Sequence, residues 1–188
     1  MNPDIQYIGE DRSEHPDKGI TVLLAGDGKG KTTAAIGMAI RAVGWNRPTI
    51  FIQMMKKYPY GELVIMEHLS EKLEVYQMGR EEHVDKENPC TEDICLAQRG
   101  LKMAKESIDS RQYDFIIVDE ALTALEYGLV SEEDLLDLIN QKPDFLNLVL
   151  TGLKLTPALI EVADCVTRME KIKHHFDAGF PAQKGIEY

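Results

Sequence analysis

From Ile20 onward, short apolar runs rich in β-favouring residues alternate with longer stretches of helical spacing. Thr21-Val22-Leu23-Leu24 predicts a buried strand, and the small and apolar residues from Lys31 to about Gly44 predict a helix. Pro48–Met54 and Leu73–Met78 predict the next two strands, separated by the Lys56–Gly61 loop and a helix reaching about Leu69. Ile94, Leu96, Ala97, Leu101, Ala104 and Ile108 recur at helical spacing, so a helix is expected from Thr91 to about Arg111. Tyr113–Glu120 predicts a fourth strand, followed by helical segments to Asn140. Leu146–Leu150, Thr156–Ala163 and Cys165–Met169 predict a strand, a helix and a last strand. Strands alternating with helices imply a mostly parallel sheet of about five to six strands covered on both faces.

The first strand–turn–helix junction carries chemistry. It reads ITVLLAGDGKGKTT, with Gly26, Gly28 and Gly30 in the turn and Lys31-Thr32-Thr33 opening the helix. Glycines let successive backbone N–H groups turn toward phosphate oxygens, and a helix N-terminus favours an anion. Gly26, Asp27, Gly28, Lys29, Gly30, Lys31, Thr32 and Thr33 are therefore the candidate nucleotide-binding residues. Lys31 would reach the terminal phosphates and is the candidate catalytic residue, while Thr32 would offer its hydroxyl to Mg²⁺ or Mn²⁺. The usual spacing G-x-x-x-x-G-K-[ST] places Ala25 where the first glycine stands. Its Cβ implies an altered approach into the loop. An ordinary glycine-rich turn is the competing reading. The fold expected is a P-loop NTPase-like (RecA-like) α/β sandwich.

The fourth strand, FIIVDE, ends in Asp119 and Glu120. A buried strand that delivers carboxylates beside a phosphate loop is suited to holding a divalent cation, so Thr32, Asp119 and Glu120 form the candidate metal site. In a nucleotide hydrolase or kinase the second carboxylate would instead orient an attacking group, and that reading is the alternative.

Composition narrows the partners. Among 188 residues, 32 acidic side chains against 21 basic ones give a net charge of −11, which disfavours nucleic acid. An anionic ligand must then rely on a local pocket. Cys90, Cys95 and Cys165 are too few and too irregularly spaced for a disulfide framework or a zinc site. No apolar run approaches the ~20 residues that cross a bilayer, and the polar start MNPDIQYIGEDRSEHPDKG is unlike a signal peptide. A cytoplasmic location is expected. Residues 1–19 read as a flexible polar arm and residues 20–188 as one domain.

Gly79–Pro89 is the longest polar connection and follows a strand's C-terminal end, where open α/β sheets bind ligands. The C-terminal stretch KHHFDAGFPAQKGIEY has neither helical nor strand periodicity, yet concentrates aromatic, charged and glycine residues. Binding groups gather in such segments, so Lys173, His175, Phe176, Asp177 and Gln183 are expected to line or brace the nucleotide pocket.

Together GDGKGKTTAA, FIIVDE, the Leu150-Thr151-Gly152 segment and this tail resemble the ATP:corrinoid adenosyltransferases, over about residues 20–188. The tail is specific to that family, whereas the loop alone is not; the family's loop also lacks the first glycine, in agreement with Ala25. The resemblance implies attack by Co(I) on C5′ of ATP with release of triphosphate. The corrinoid would be cob(I)yrinic acid a,c-diamide or cob(I)alamin. It also implies that Glu120 is the metal-binding carboxylate, that a flavodoxin-like or flavin reductant supplies Co(I), and that the enzyme is a homodimer. Two departures concern the corrinoid side. The G-F-T-W segment common in the family is replaced by GREEHVDKEN, without aromatics, and Thr-Gly-Arg is replaced by Thr151-Gly152-Leu153-Lys154. Arg80, His83 and Lys86 in the former segment are the candidate corrinoid contacts.

Overall fold

The structure is a computed structural model and describes residues 18–57, 60–69 and 72–188. Apart from Lys18 and Gly19, the expected N-terminal arm lies outside the described residues. The elements in chain order are β1 (Thr21–Ala25), α1 (Lys31–Gly44), β2 (Thr49–Met54), α2 (Gly61–Leu69) and β3 (Leu73–Met78). They continue with α3 (Thr91–Ser110), β4 (Phe115–Asp119), α4 (Ala121–Glu126), α5 (Glu132–Asn140) and β5 (Asn147–Gly152). Last come α6 (Pro157–Val162), β6 (Cys165–Arg168) and a 3₁₀ turn at His175–Ala178.

The strands pair in the order β3-β2-β4-β5-β1-β6, all parallel. Central strands are buried throughout because helices cover both faces. Side chains still alternate. Leu23, Ile50, Ile116 and Leu148 face α3, α4 and α5, while Val22, Phe51, Ile117 and Val149 face α1 and α2. Ala35 and Ala39 of α1 are wholly buried, and their small side chains let the helix lie close against the sheet. This is the expected P-loop NTPase-like α/β arrangement. Among the described residues, no helix is long and apolar enough to cross a membrane.

Two strand boundaries differ from the sequence expectation by two residues. Strand β4 begins at Phe115, two residues later than the hydrophobic pattern suggests. Tyr113 turns aside to donate its hydroxyl to Glu74 at 2.9 Å, and Asp114 accepts from Arg47 at 2.9 Å. Strand β5 continues through Gly152, because Gly152 pairs in register with Ala25.

Candidate active site

A sheet with all strands parallel brings their C-terminal ends to one edge, and the loops that follow β1, β2 and β4 meet there. Ala25 is still part of β1, wholly buried and paired with Gly152 and Arg168. The chain leaves the strand only at Gly26, whose φ of 111° and contact with Met169 leave no room for a side chain: a Cβ would come within 2.3 Å of the Met169 carbonyl oxygen. The N–H groups of Gly26 and Gly28 donate to Gly152 and Met169, at 3.1 and 2.8 Å. Asp27 accepts the Lys171 N–H at 3.1 Å. These three residues fix the loop against β5 and the segment after β6.

Anion-binding capacity lies at the start of α1. Gly30 stands before the helix with φ 115°, no side chain caps the first turn, and that turn has no acidic residue. Its N–H groups therefore face the cleft without an internal competitor. In contrast, α3 and α5 have their own carboxylates at that position, Asp93 and Asp134, which accept the N–H groups of Cys90 and Ser131. Lys31 folds back to donate to the Gly28 carbonyl at 2.8 Å. Burial lowers its pKa from the ordinary lysine value, partly offset by Glu120, Asp27 and Asp119.

Facing the helix start is a compact polar cluster. Asp119 is wholly buried and accepts from Thr32 at 2.9 Å, Thr151 at 2.6 Å and Lys56 at 2.7 Å. The Lys56 ammonium also lies 3.1 Å from the Thr32 hydroxyl and 3.4 Å from Glu120 Oε1. Glu120 takes a left-handed backbone with φ 63°, accepts the Thr123 hydroxyl, and donates its N–H to Thr151 at 2.9 Å. Burial opposes charge on Lys56, but Asp119, Glu120 and the hydrogen bond to Asp119 outweigh it and hold the pKa above the ordinary lysine value.

Between loop and cluster lies a cleft of about 420 Å³, lined by Lys29–Thr33, Ile36, Lys56, Tyr60–Glu62, Glu120 and Gly185–Tyr188. Of the sequence candidates, Lys29, Gly30, Lys31, Thr32, Thr33 and Glu120 line it, with Asp119 directly behind. The tail reaches the cleft through its last four residues. Lys29 donates to the Ile186 carbonyl at 2.7 Å and pairs with Glu187 at 3.0 Å. Glu187 accepts the Gln183 N–H at 2.8 Å, and His175 Nε2 lies 3.4 Å from it. Asp177 pairs with Lys171 at 3.1 Å, while Lys173 and Phe176 are exposed. Lys173, His175, Phe176, Asp177 and Gln183 are not among the lining residues.

Arg80, His83 and Lys86 lie off this cleft as well. Arg80 forms a two-pronged pair with Asp93, at 2.8 and 3.3 Å; Lys86 bonds Glu126 at 2.9 Å; His83 is exposed. Sequence reasoning missed Lys56, Tyr60, Glu62, Glu187 and Tyr188. The available signal for Lys56 was its position just past a buried strand, at the edge where the phosphate loop also emerges.

The chemistry of the donor set suits a divalent cation. Thr32, Asp119 and Glu120 offer hard oxygens, and they already gather around a positive charge, the Lys56 ammonium. Among the described residues no cluster of three His, Cys, Asp or Glu side chains stands ready to hold a metal, so phosphate and water oxygens would have to complete the shell.

Residues 17–188 match the model of a family described as ATP:corrinoid adenosyltransferase BtuR/CobO/CobP. A corrinoid adenosyltransferase from a Sinorhizobium species is 33% identical over 175 residues, covering 92% of this chain and 81% of that protein. Another from Escherichia coli K12 is 31% identical over 173 residues, with coverage of 92% and 87%. Corrinoid adenosyltransferase CobA of Salmonella typhimurium is 30% identical over 174 residues, with the same coverage.

Proposed function

The chain belongs to the ATP:corrinoid adenosyltransferase family, and from that premise we propose how its cleft performs the transfer. The enzyme moves the 5′-deoxyadenosyl group of ATP to the Co(I) centre of a corrinoid, in adenosylcobalamin biosynthesis. The Co(I) electron pair forms the Co–C5′ bond, the C5′–O bond breaks, and its electrons leave with triphosphate. No proton is removed, so no general base is required. Transfer at the γ-phosphate by an ATPase or kinase is not favoured by the family.

The observation that carries this reading is the uncapped start of α1 with Lys31, which lines the same cleft as Glu120 and has Asp119 directly behind it. Charge accumulates on the leaving triphosphate, so preorganised N–H groups and Lys31 lower the barrier where that charge develops. Thr32 and Glu120 would hold Mg²⁺ or Mn²⁺, with Asp119 orienting the Thr32 hydroxyl. The metal, when bound with the triphosphate, neutralises part of its charge. Tyr60, Ile36 and the last four tail residues would shape the pocket that holds ATP and aligns C5′. Such alignment can be worth ~7–11 kcal/mol of barrier. The corrinoid, cob(I)yrinic acid a,c-diamide or cob(I)alamin, would approach from the side of the Gly79–Pro89 segment, where His83 is exposed. A flavin-dependent reductant, a cytoplasmic location and a homodimer complete the proposal.

The test is to incubate protein, MgATP and chemically reduced corrinoid, follow the visible spectrum, and identify the phosphate product. An adenosylcorrinoid spectrum with inorganic triphosphate is expected. ADP or orthophosphate as the stoichiometric product would favour phosphoryl transfer.

A further inference from the structure

The oxygens assigned to the metal already surround a cation supplied by the chain. Lys56 stands two positions beyond β2, on a turn where Met55 has φ 60° and donates its N–H to Met78 at 2.9 Å. Gly79, just past β3, presses on that turn. A Cβ at position 79 would fall 2.2 Å from the Lys56 nitrogen and 2.5 Å from the Met55 carbonyl carbon, so only glycine fits. The ends of two neighbouring strands thus fix the direction in which Lys56 leaves the backbone. Its side chain is only 16% exposed, and Nζ lies 5.8 Å from the centre of the Tyr60 ring. The ammonium reaches Asp119, Thr32 and Glu120 at 2.7, 3.1 and 3.4 Å.

An ammonium in that position and a metal bonded to the same oxygens exclude one another. Charge decides when the exchange occurs. Asp119 and Glu120 face Lys31 and Lys56, with Asp27 near Lys31 and Glu62 on the cleft wall, while Lys29 is paired with Glu187. A free divalent cation would have to push Lys56 off Asp119 and Glu120 with no phosphate there to receive the ammonium. A metal–ATP complex adds net negative charge and brings phosphate oxygens that can accept the displaced ammonium.

We propose that Lys56 is a positioning residue that keeps Thr32, Asp119 and Glu120 assembled, closes the site to free divalent metal, and transfers to the triphosphate when the metal–ATP complex arrives. The metal then enters with its nucleotide and not ahead of it. The inference rests on the reading that Thr32 and Glu120 hold the metal.

The experiment measures Mn²⁺ binding by electron paramagnetic resonance without nucleotide, in wild type, Lys56→Met and Lys56→Arg. Loss of the ammonium should tighten free Mn²⁺ binding about tenfold or more in Lys56→Met, whereas Lys56→Arg should resemble wild type. Metal-free ATP should bind more weakly to Lys56→Met. Equal free Mn²⁺ affinity in wild type and Lys56→Met would overturn the proposal, as would unchanged affinity for metal-free ATP. Circular dichroism checks folding; if Lys56→Met does not fold, Lys56→Gln is used with the same expectations. Glu120→Gln, assayed with Mn²⁺ and ATP together, separates the two readings. If that variant binds Mn²⁺ as wild type does, the metal assignment itself fails. If it weakens Mn²⁺ while Lys56→Met leaves free Mn²⁺ binding unchanged, only the role of Lys56 fails.

Discussion

Thr151 donates its hydroxyl to Asp119 at 2.6 Å across the β4–β5 pairing, with both residues wholly buried. The same oxygen accepts the N–H of Glu120 at 2.9 Å, where the backbone turns left-handed. One hydroxyl therefore ties the Asp119 carboxylate to the Glu120 backbone, and its neighbour Gly152 lets the end of β5 pack against α4, where a Cβ would fall 2.2 Å from the Thr123 nitrogen. Replacing Thr151 by valine keeps the shape but removes one of the donors to the buried Asp119 carboxylate and leaves the Glu120 N–H without its acceptor. The expected loss is about 1–3 kcal/mol in denaturant unfolding, with a raised Mg²⁺ requirement for turnover. Thr151→Ser should recover most of both. Wild-type stability and metal dependence in the valine variant would show that the hydroxyl does neither job.

Lys31 is half-buried at the cleft and not part of the core. Lys31→Ala should leave unfolding unchanged while lowering turnover by roughly 10²–10³, the usual scale for one lost donor to a developing negative charge. Its pKa also sets a pH limit. Burial places it below the ordinary 10.5, so the free enzyme loses this ammonium earlier than a solvated lysine would. The alkaline limb of kcat/KM for ATP should accordingly begin to fall below pH 10.5 and vanish from the profile of Lys31→Ala. An identical limb in that variant would assign it to another group.

Much of the scaffold was legible because its signals are local. The alternation in Leu73–Met78 and the small-residue stripe of Lys31–Gly44 correspond to β3 and α1 as observed. The meeting of Thr32 with Asp119 followed from topology, since parallel strands send both to one edge. Lys56 was not legible, because its partners lie 24 and 63 residues away and a Lys-Lys pair in a loop looks like solvated charge. The tail was recognised as non-periodic, but its contact with Lys29 spans 157 residues and leaves no pattern in the sequence. Arg80 looked like a ligand cation because Cys90 obscures the helix start where Asp93 acts as a cap.

That pairing makes a prediction about stability. Asp93 is buried, accepts the Cys90 N–H at 3.1 Å, and is tied to Arg80 by two bonds. The Arg80 hydrogen bond holds its carboxyl below the ordinary value of 3.8, against the effect of burial. A carboxylate with a depressed folded pKa contributes stability above the unfolded pKa and loses it as pH falls through the folded one. Arg80→Ala should therefore melt at lower temperature than wild type near neutral pH, and the gap should narrow as pH falls below 3.8. A gap that stays constant into acid would mean that the guanidinium stabilises through packing and not through Asp93.

The last four residues form one wall of the cleft although they belong to no regular element. Ile186 and Tyr188 contribute apolar surface there, and the Ile186 carbonyl and Glu187 engage Lys29. Two effects oppose each other when this wall is removed. Lys29 is released to meet phosphate, which would favour ATP, but the pocket loses enclosure and the phosphate loop loses a brace. Exposed ion pairs are worth little, whereas enclosure governs how much of a small ligand is buried, so the second effect should win. Deleting residues 185–188 should weaken ATP binding about tenfold by isothermal titration, the scale of one or two lost side-chain contacts. Glu187→Gln keeps the wall and removes only the charge, so its ATP affinity should equal or slightly exceed that of wild type. If the deletion binds ATP as tightly as wild type, the tail encloses no part of the nucleotide; if Glu187→Gln weakens ATP as much as the deletion, the ion pair and not the wall is what the cleft requires.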